Sequence, residues 1–390
     1  MPPEKGKGKG RRGQGENASQ RARDVNDESA RASRARPSTR SSFPLSPFPL
    51  PLVSVAVVGA GRLGTALARA LASCGYEVAA VVSRRVASAR RAAALVSPRT
   101  RHFSAAQLSE LPPVNLLLIT TPDDRLAETA ARLAHEIGKG KGKRVKGKGE
   151  GGKGGRLSPI FPLSPLPVPP SPVARVALHA SGALSSDVLA PLREVGFAVG
   201  SMHPLVSVSE PLSGEESLRR AFYCVEGDAG AVRAARSLAG ALGGRSFTIN
   251  TRDKSLYHAA AVMTSGHTVA LFDLATRLLA RCGLTPAGAR RVLLPLLSST
   301  LENLSAQEPA RALTGSFARA DLSTVRRHLA ALDPQSEDEP ADAFDDTSRD
   351  ALDVYALLGR HSLRLAARAD ADPRALEQIA LALAEILDRR

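Results

Sequence analysis

The chain has 390 residues, of which 43% are hydrophobic, and its formal net charge is +15 at pH 7. That length is enough for two domains with separate cores. No apolar run is long enough to span a bilayer, the start of the chain lacks a signal-peptide core, and the three cysteines fit no metal-site spacing. We therefore expect a cytoplasmic protein with reduced thiols, no metal and no membrane contact.

The basic excess is concentrated in two low-complexity segments. Residues 1–50 carry a net charge of about +6 and residues 138–172 about +7, so the rest of the chain is nearly neutral. Such compositions cannot bury enough apolar surface to fold. We therefore predict a disordered N-terminal extension and a disordered insert, neither of which binds nucleic acid. A nucleic-acid-binding tail is the alternative.

Outside these two segments, strand and helix patterns alternate as far as residue 250 and then give way to helices alone. Strands are predicted near residues 53–58, 77–82, 114–120, 173–179, 197–201, 221–226 and 245–249. Helices are predicted at residues 252–282, 286–304, 321–332, 348–367 and 372–388, with a solvated acidic loop at 336–346. The pattern predicts an α/β fold: a doubly wound, mostly parallel Rossmann sheet at residues 51–250, then an all-helical substrate and dimerisation domain at 251–390.

A glycine-rich turn follows the first strand. Residues 59–64 read GAGRLG, between an apolar strand and a helix that ends near Gly75. In this context the glycines permit a tight turn, close approach of a pyrophosphate and close packing of helix on strand. An ordinary glycine-rich turn is the alternative. We predict a dinucleotide site formed by Gly59, Gly61, Arg62, Leu63 and Gly64.

The second strand ends at Ser83, Arg84 and Arg85. An NAD site normally has Asp or Glu about here for the ribose hydroxyls, whereas a hydroxyl and two guanidiniums suit the 2′-phosphate of NADP. The alternative is an ordinary basic helix start. We predict NADP rather than NAD.

Three later strand ends carry polar residues. Thr121 and Pro122 end a buried strand and are expected to cover the cofactor, with Asp123 capping the next helix. Ser181 follows the next strand, at the nicotinamide position, where it either contacts carboxamide or substrate or simply caps a helix. His203 follows another strand and is either a polar substrate contact or a turn residue.

The strongest catalytic candidates open the helical region. Lys254 and His258 are four residues apart and share one helix face, and Tyr257 flanks Lys254. A lysine in an interdomain cleft can polarise a carbonyl or imine or transfer its proton. An exposed first-turn lysine beside core-edge rings is the alternative. We predict Lys254 and His258 as catalytic and Ser181, His203 and Tyr257 as substrate contacts.

Several motifs together resemble one family. They are residues 58–64 (VGAGRLG), 179–184 (HASGAL), 200–205 (GSMHPL), 253–258 (DKSLYH), 301–303 (LEN) and 312–315 (ALTG). The chain resembles Rossmann-like oxidoreductases with a helical C-terminal domain of unknown function. More distantly it is similar to 6-phosphogluconate and β-hydroxyacid dehydrogenases, which place an active-site lysine where Lys254 stands.

This resemblance implies an NADP-dependent oxidoreductase acting on a small carbonyl, imine or hydroxy compound. The sequence departs from the family at Gly266, where we expect Asn, so the resemblance implies no side-chain contact with substrate there. A non-catalytic NAD(P)-binding sensor is the alternative function. Apolar helix residues such as Leu293 and Leu296 are compatible with a homodimer or with core packing.

Overall fold

The computed structural model describes residues 53–144, 175–333 and 346–388, and the fold is given for these residues. The predicted extension at residues 1–50 lies outside them. So do most of the predicted insert at 138–172 and of the acidic loop at 336–346.

The first half of the described chain forms a sheet of eight strands flanked by helices. The strands are β1 (Ser54–Val58), β2 (Glu77–Ser83), β3 (Arg101–Ser104), β4 (Leu116–Ile119), β5 (Val176–His179), β6 (Ala198–Pro204), β7 (Phe222–Gly227) and β8 (Arg245–Phe247). The helices are α1 (Arg62–Ser73), α2 (Val86–Val96), α3 (Asp123–Arg144), α4 (Ala190–Glu194), α5 (Pro211–Arg219) and α6 (Ala229–Ala241). Short 3₁₀ turns occupy Ala105–Glu110, Ser186–Leu189 and Thr251–Asp253.

The strand order is β3-β2-β1-β4-β5-β6-β7-β8, with the order reversing between β1 and β4. All neighbours are parallel except β6 and β7, which pair antiparallel. The central strands β1, β4 and β5 are buried along nearly their whole length, as their apolar sequences require for a sheet covered on both faces. The predicted α/β, mostly parallel Rossmann sheet is therefore confirmed.

Helix α3 extends beyond its predicted end. It continues to Arg144, whereas we predict an end at residue 137 and an insert from residue 138. No proline occurs between residues 125 and 156 to force an earlier end. The helix therefore runs into the first seven residues of the predicted insert.

The second half of the described chain is helical, as predicted. Its helices are α7 (Lys254–Thr264), α8 (Gly266–Arg281), α9 (Pro286–Ala306), α10 (Pro309–Ala312), α11 (Gly315–Ala318), α12 (Leu322–Leu332), α13 (Asp346–Ala367) and α14 (Pro373–Asp388). One predicted helix at residues 252–282 is in fact two, because Ser265 has ψ −76° and turns the chain between α7 and α8.

The helical half has a core only in its later part. Buried residues of α12, α13 and α14, such as Val325, Ala356 and Ile379, form one apolar cluster. By contrast, the buried residues of α7, α8 and α9 are only Lys254, Thr276 and Ala289. These three long helices thus leave most of their apolar side chains uncovered.

Candidate functional site

The turn after β1 is held against the end of β4. Gly59 has φ +124°, and a Cβ there would lie 2.6 Å from the carbonyl carbon of Thr120. The Thr120 hydroxyl donates a hydrogen bond to the Gly59 carbonyl at 2.7 Å. Glycine at this position is therefore required by both backbone conformation and space.

The start of α1 is free to bind an anion. Gly61 is the N-cap residue, no side chain caps the helix, and its first turn has no acidic residue. A Cβ on Gly61 would meet no atom within 4 Å. The first N–H groups of the helix therefore face accessible space, the arrangement that binds phosphate groups.

A cavity of about 880 Å³ surrounds this turn, a size typical of small-molecule sites. Nine of the ten predicted cofactor residues line it: Gly59, Gly61, Arg62, Leu63, Gly64, Ser83, Arg84, Thr121 and Pro122. Arg85, the tenth, does not line the cavity; it is the N-cap residue of α2. Ser88, which the sequence analysis does not single out, also lines it.

A hydrogen-bonded loop follows β5, beside the end of β4. The Ser181 hydroxyl donates to Oδ2 of Asp123 at 2.8 Å and accepts from the backbone N–H groups of Ala183 and Leu184. Ser181 therefore joins the loop after β5 to the first residue of α3. This bond connects the cavity wall at Thr121 and Pro122 with the residues around Lys254.

Lys254 is buried beneath that loop and is 1% exposed. Its Nζ donates to the Ser201 hydroxyl at 2.7 Å and to the Ser181 carbonyl at 3.1 Å. Burial lowers the Lys254 pKa, and the nearby Cys224, Glu226 and Asp123 oppose that shift. The predicted lysine thus contacts protein groups on β6 and the β5 loop rather than solvent.

Three rings meet next to Lys254. Nδ1 of His203 lies 2.7 Å from the Tyr257 hydroxyl, and the His203 and His258 ring centroids are 5.7 Å apart. A Cβ on Gly182 would overlap Nδ1 of His258 and lie 3.0 Å from Cε1 and Nε2 of His203. Both imidazoles therefore border the small space left by the missing side chain of Gly182.

The electrostatics of His203 and Tyr257 favour their uncharged forms. Burial and then the charge of Lys254 lower the His203 pKa to about 4. Burial raises the Tyr257 pKa, so its hydroxyl stays protonated at neutral pH. Nδ1 of His258 is buried and has no hydrogen-bond partner among the described residues. It is therefore a buried polar atom of the cluster that the described residues leave unsatisfied.

Two supporting residues are missed by the sequence analysis. Glu226 is 5% exposed and accepts hydrogen bonds from the Ser186 N–H and hydroxyl at 2.8 Å and from the Thr251 hydroxyl at 3.4 Å. In the sequence, Glu226 is marked only by being a carboxylate in an otherwise apolar strand. Ser201 lies in a quoted motif, but nothing in the sequence marks it as a partner of Lys254.

The predicted residues therefore form two groups at one edge of the sheet. All of the predicted cofactor residues except Arg85 line the cavity. The second group contains Ser181, His203, Lys254, Tyr257 and His258. Gly266, where the family resemblance leads us to expect Asn, lies at the start of α8. A Cβ on Gly266 would have only Val262 within 4 Å.

Metal-binding clusters and membrane-spanning helices do not occur in the described part of the chain. No group of three or more His, Cys, Asp or Glu residues is placed to hold a metal within the described ranges. Over the same ranges, no helix combines the length and apolarity that crossing a membrane needs.

Comparison with protein families gives two matches. A Rossmann-like domain matches residues 41–168 and DUF2520, a domain of unknown function, matches residues 221–360. The DUF2520 match begins at the end of the sheet, just before β7, and extends into α13. No curated protein matches the chain.

Solved structures resemble the fold over most of its length. A protein from Bacteroides fragilis, named a "putative NADP oxidoreductase", is 23% identical, with 80% of this chain and 98% of that chain covered and a TM-score of 0.55. A protein from Thermotoga maritima is 20% identical, with the same coverage and a TM-score of 0.50. These likenesses establish the fold.

Proposed function

Because the chain carries a Rossmann-like domain followed by a DUF2520 domain, we propose that it is an NADP-dependent oxidoreductase. Its substrate is a small carbonyl, imine or hydroxy compound. The main support is one bond: the Ser181–Asp123 hydrogen bond joins the glycine cavity to the buried Lys254 cluster. The description of the Bacteroides fragilis protein is consistent with this assignment.

The cavity has residues suited to both charged groups of NADP, the pyrophosphate and the 2′-phosphate. The open first turn of α1 and Arg62 would hold the pyrophosphate. Ser83, Arg84 and Ser88 would hold the 2′-phosphate, for which a guanidinium is a suitable partner. NADP, when bound, supplies or accepts the hydride.

The ring cluster would hold the reacting end of the substrate. Tyr257, kept protonated, donates to Nδ1 of the uncharged His203, whose Nε2–H is then free to donate to the substrate oxygen or nitrogen. Such a donor stabilises the charge that develops there. Half-buried His258 gives or takes the proton that accompanies the hydride.

Lys254 has a positioning role in this proposal. It holds the Ser181 carbonyl and Ser201 hydroxyl, and its charge helps to keep His203 neutral. Changing Lys254 should therefore alter the pH dependence of turnover as well as its rate.

The first experiment is cofactor binding to the full chain. Titration with NADPH and NADH should show binding of NADPH at least tenfold tighter. NADPH oxidation is then followed with cyclohexanone and 1-pyrroline, and NADP⁺ reduction with 3-hydroxybutyrate. Absence of binding by both nucleotides would overturn the proposal.

A second measurement separates an enzyme from a sensor. His258→Gln should keep NADPH affinity and lose most turnover. His361→Gln, at an exposed position in α13, is the matched control and should keep both. A chain that binds NADPH but turns over none of the substrates would support the sensor instead.

We also propose that the chain forms a homodimer through α7, α8 and α9. Exposed apolar side chains on these helices include Leu256, Met263, Val269, Leu294, Leu296 and Leu301, exposed by 53–75%. A 21-residue helix such as α9 is about 32 Å long and cannot leave such a surface in water without cost. A two-fold dimer, the commonest assembly, would cover it.

The dimer is tested by solution mass. Leu296→Glu should give a monomer by light scattering, whereas Leu212→Glu, equally exposed on α5, should leave the dimer intact. A wild-type monomer at micromolar concentration would contradict the proposed dimer.

The cytoplasm remains the proposed location, supported by three cysteines that form no disulfide.

A further inference from the structure

The loop after β4 places a carboxylate between the two halves of the site. Asp123 is the first residue of α3 and follows Thr121 and Pro122, which line the cavity. Its Oδ2 accepts the Ser181 hydroxyl at 2.8 Å, which fixes the side chain towards the β5 loop. The Asp123 charge also acts on Lys254. Asp123 itself does not line the cavity, but both of its neighbours in the chain, Pro122 and Asp124, do. Asp123 therefore lies between the cavity and the ring cluster.

The sheet order indicates which end of the cofactor comes near Asp123. Arg84 follows β2 and Asp123 follows β4, so the two lie on opposite sides of β1 and its glycine turn. A dinucleotide lies across the carboxyl ends of the strands at the reversal of strand order. If its 2′-phosphate were held at Arg84 and its pyrophosphate at Gly61, its nicotinamide end would extend over β4 and β5.

The nicotinamide ring is cationic in NADP⁺ and uncharged in NADPH. A fixed carboxylate beside it attracts only the oxidised form. We infer that Asp123, held by Ser181, makes this site bind NADP⁺ more tightly relative to NADPH than it would without the carboxylate. The inference rests on the proposed function, because it requires the dinucleotide to occupy the glycine cavity.

The exposure of Asp123 to solvent sets how strongly its charge changes the relative affinity for NADP⁺ and NADPH. Asp123 is open to solvent, so its attraction for the ring is weakened by water and falls further as salt is added. A change of about fivefold in relative affinity at low salt is a reasonable expectation, which corresponds to about 1 kcal/mol.

The test measures dissociation constants of NADP⁺ and NADPH for the full chain by calorimetry at low and high salt. Asp123→Asn keeps the size of the side chain and its ability to accept from Ser181. This variant should bind NADP⁺ more weakly relative to NADPH. The dissociation constant of NADP⁺ divided by that of NADPH should therefore rise about fivefold at low salt, and less at high salt. Ser181→Ala, which releases Asp123, should raise it by a smaller factor.

Asp187→Asn is the matched control. Asp187 follows β5 in the first turn of a 3₁₀ helix, and its side chain is 74% exposed beside Arg193. It should leave the ratio unchanged. An unchanged ratio in Asp123→Asn, with both nucleotides still bound, overturns this inference and leaves the proposed function standing. Failure of the wild-type chain to bind both nucleotides overturns the two together.

Discussion

Tyr257 and His203 form a hydrogen-bonded, edge-to-face pair that recurs elsewhere in the chain. The hydroxyl–Nδ1 distance is 2.7 Å, and the ring centroids are 5.6 Å apart at 85°. Tyr355 and His328 form the same pair at 2.8 Å, with centroids 5.7 Å apart at 90°. The second pair belongs to the later helices, outside the candidate site. It therefore provides an internal control for the first.

Tyr257→Phe removes the hydrogen bond that fixes the His203 tautomer while keeping the ring. We expect kcat to fall about tenfold or more with little change in KM, because the bond orients a group that acts in the transition state. Tyr355→Phe removes an equivalent bond and should leave both constants unchanged. Equal losses of activity in the two variants would show that the bond acts only through stability.

The unfolding free energy should fall in mild acid because burial lowers the pKa of two histidines, the buried His179 and the half-buried His203. Burial lowers the pKa of His179 to about 3 and of His203 to about 4, from 6.5. Below pH 6.5 the unfolded chain takes up protons that the folded chain does not, so stability is greatest above pH 6.5 and declines as pH falls towards 4. Between pH 7 and pH 5 each histidine should cost about 1–2 kcal/mol.

Thermal denaturation between pH 7 and pH 5 measures this decline. The window lies above the range in which carboxylates such as Glu215 titrate, because its pKa is held low by Ser73 and Arg219. His203→Gln should reduce the decline by about half. His361→Gln, at an exposed position, should not change it. A flat stability profile over this window in the wild-type chain would show that the two histidines titrate normally.

The sheet is largely predictable from sequence because its signals are local. Apolar strands, the glycine turn and the polar strand ends are enough to locate the cavity that we propose for the cofactor. The surroundings of Lys254 are not predictable in this way. Its partners lie 53 and 73 residues away in the chain, and only the parallel arrangement of β5 and β6 brings them together.

Burial is the second feature that sequence does not reveal. Helical spacing puts Lys254 and His258 on one face, but it cannot say whether that face meets solvent or protein. Likewise, the apolar residues of α9 have the composition of a core, yet only Ala289 is buried there. Tertiary packing decides the first case, and the proposed dimer would decide the second.

Cofactor choice should depend on Arg84 much more than on Arg85. Arg84 lines the cavity, whereas Arg85 precedes α2 outside it. Arg84→Ala should weaken NADPH binding about tenfold to a hundredfold, since a hydrogen bond to a charged group contributes about 1.5–3 kcal/mol. NADH binding should change little. Arg85→Ala is the control, and a larger loss there than in Arg84→Ala would place the 2′-phosphate elsewhere.

Gly61→Ala should separate folding from cofactor binding. A Cβ at Gly61 has no protein atom within 4 Å, and φ there is −79°, so the folded chain can accept alanine without strain. The methyl group would instead occupy the approach of the pyrophosphate to the first turn of α1. We expect at most a small drop in melting temperature, because alanine is a weaker N-cap than glycine, and at least tenfold weaker binding of both NADPH and NADH, because the pyrophosphate is common to the two. Gly240→Ala in α6, where a Cβ also meets no atom within 4 Å, should leave nucleotide binding unchanged and raise the melting temperature slightly, because alanine is the better helix former. Unaltered nucleotide binding by Gly61→Ala would mean that the turn after β1 does not contact the pyrophosphate.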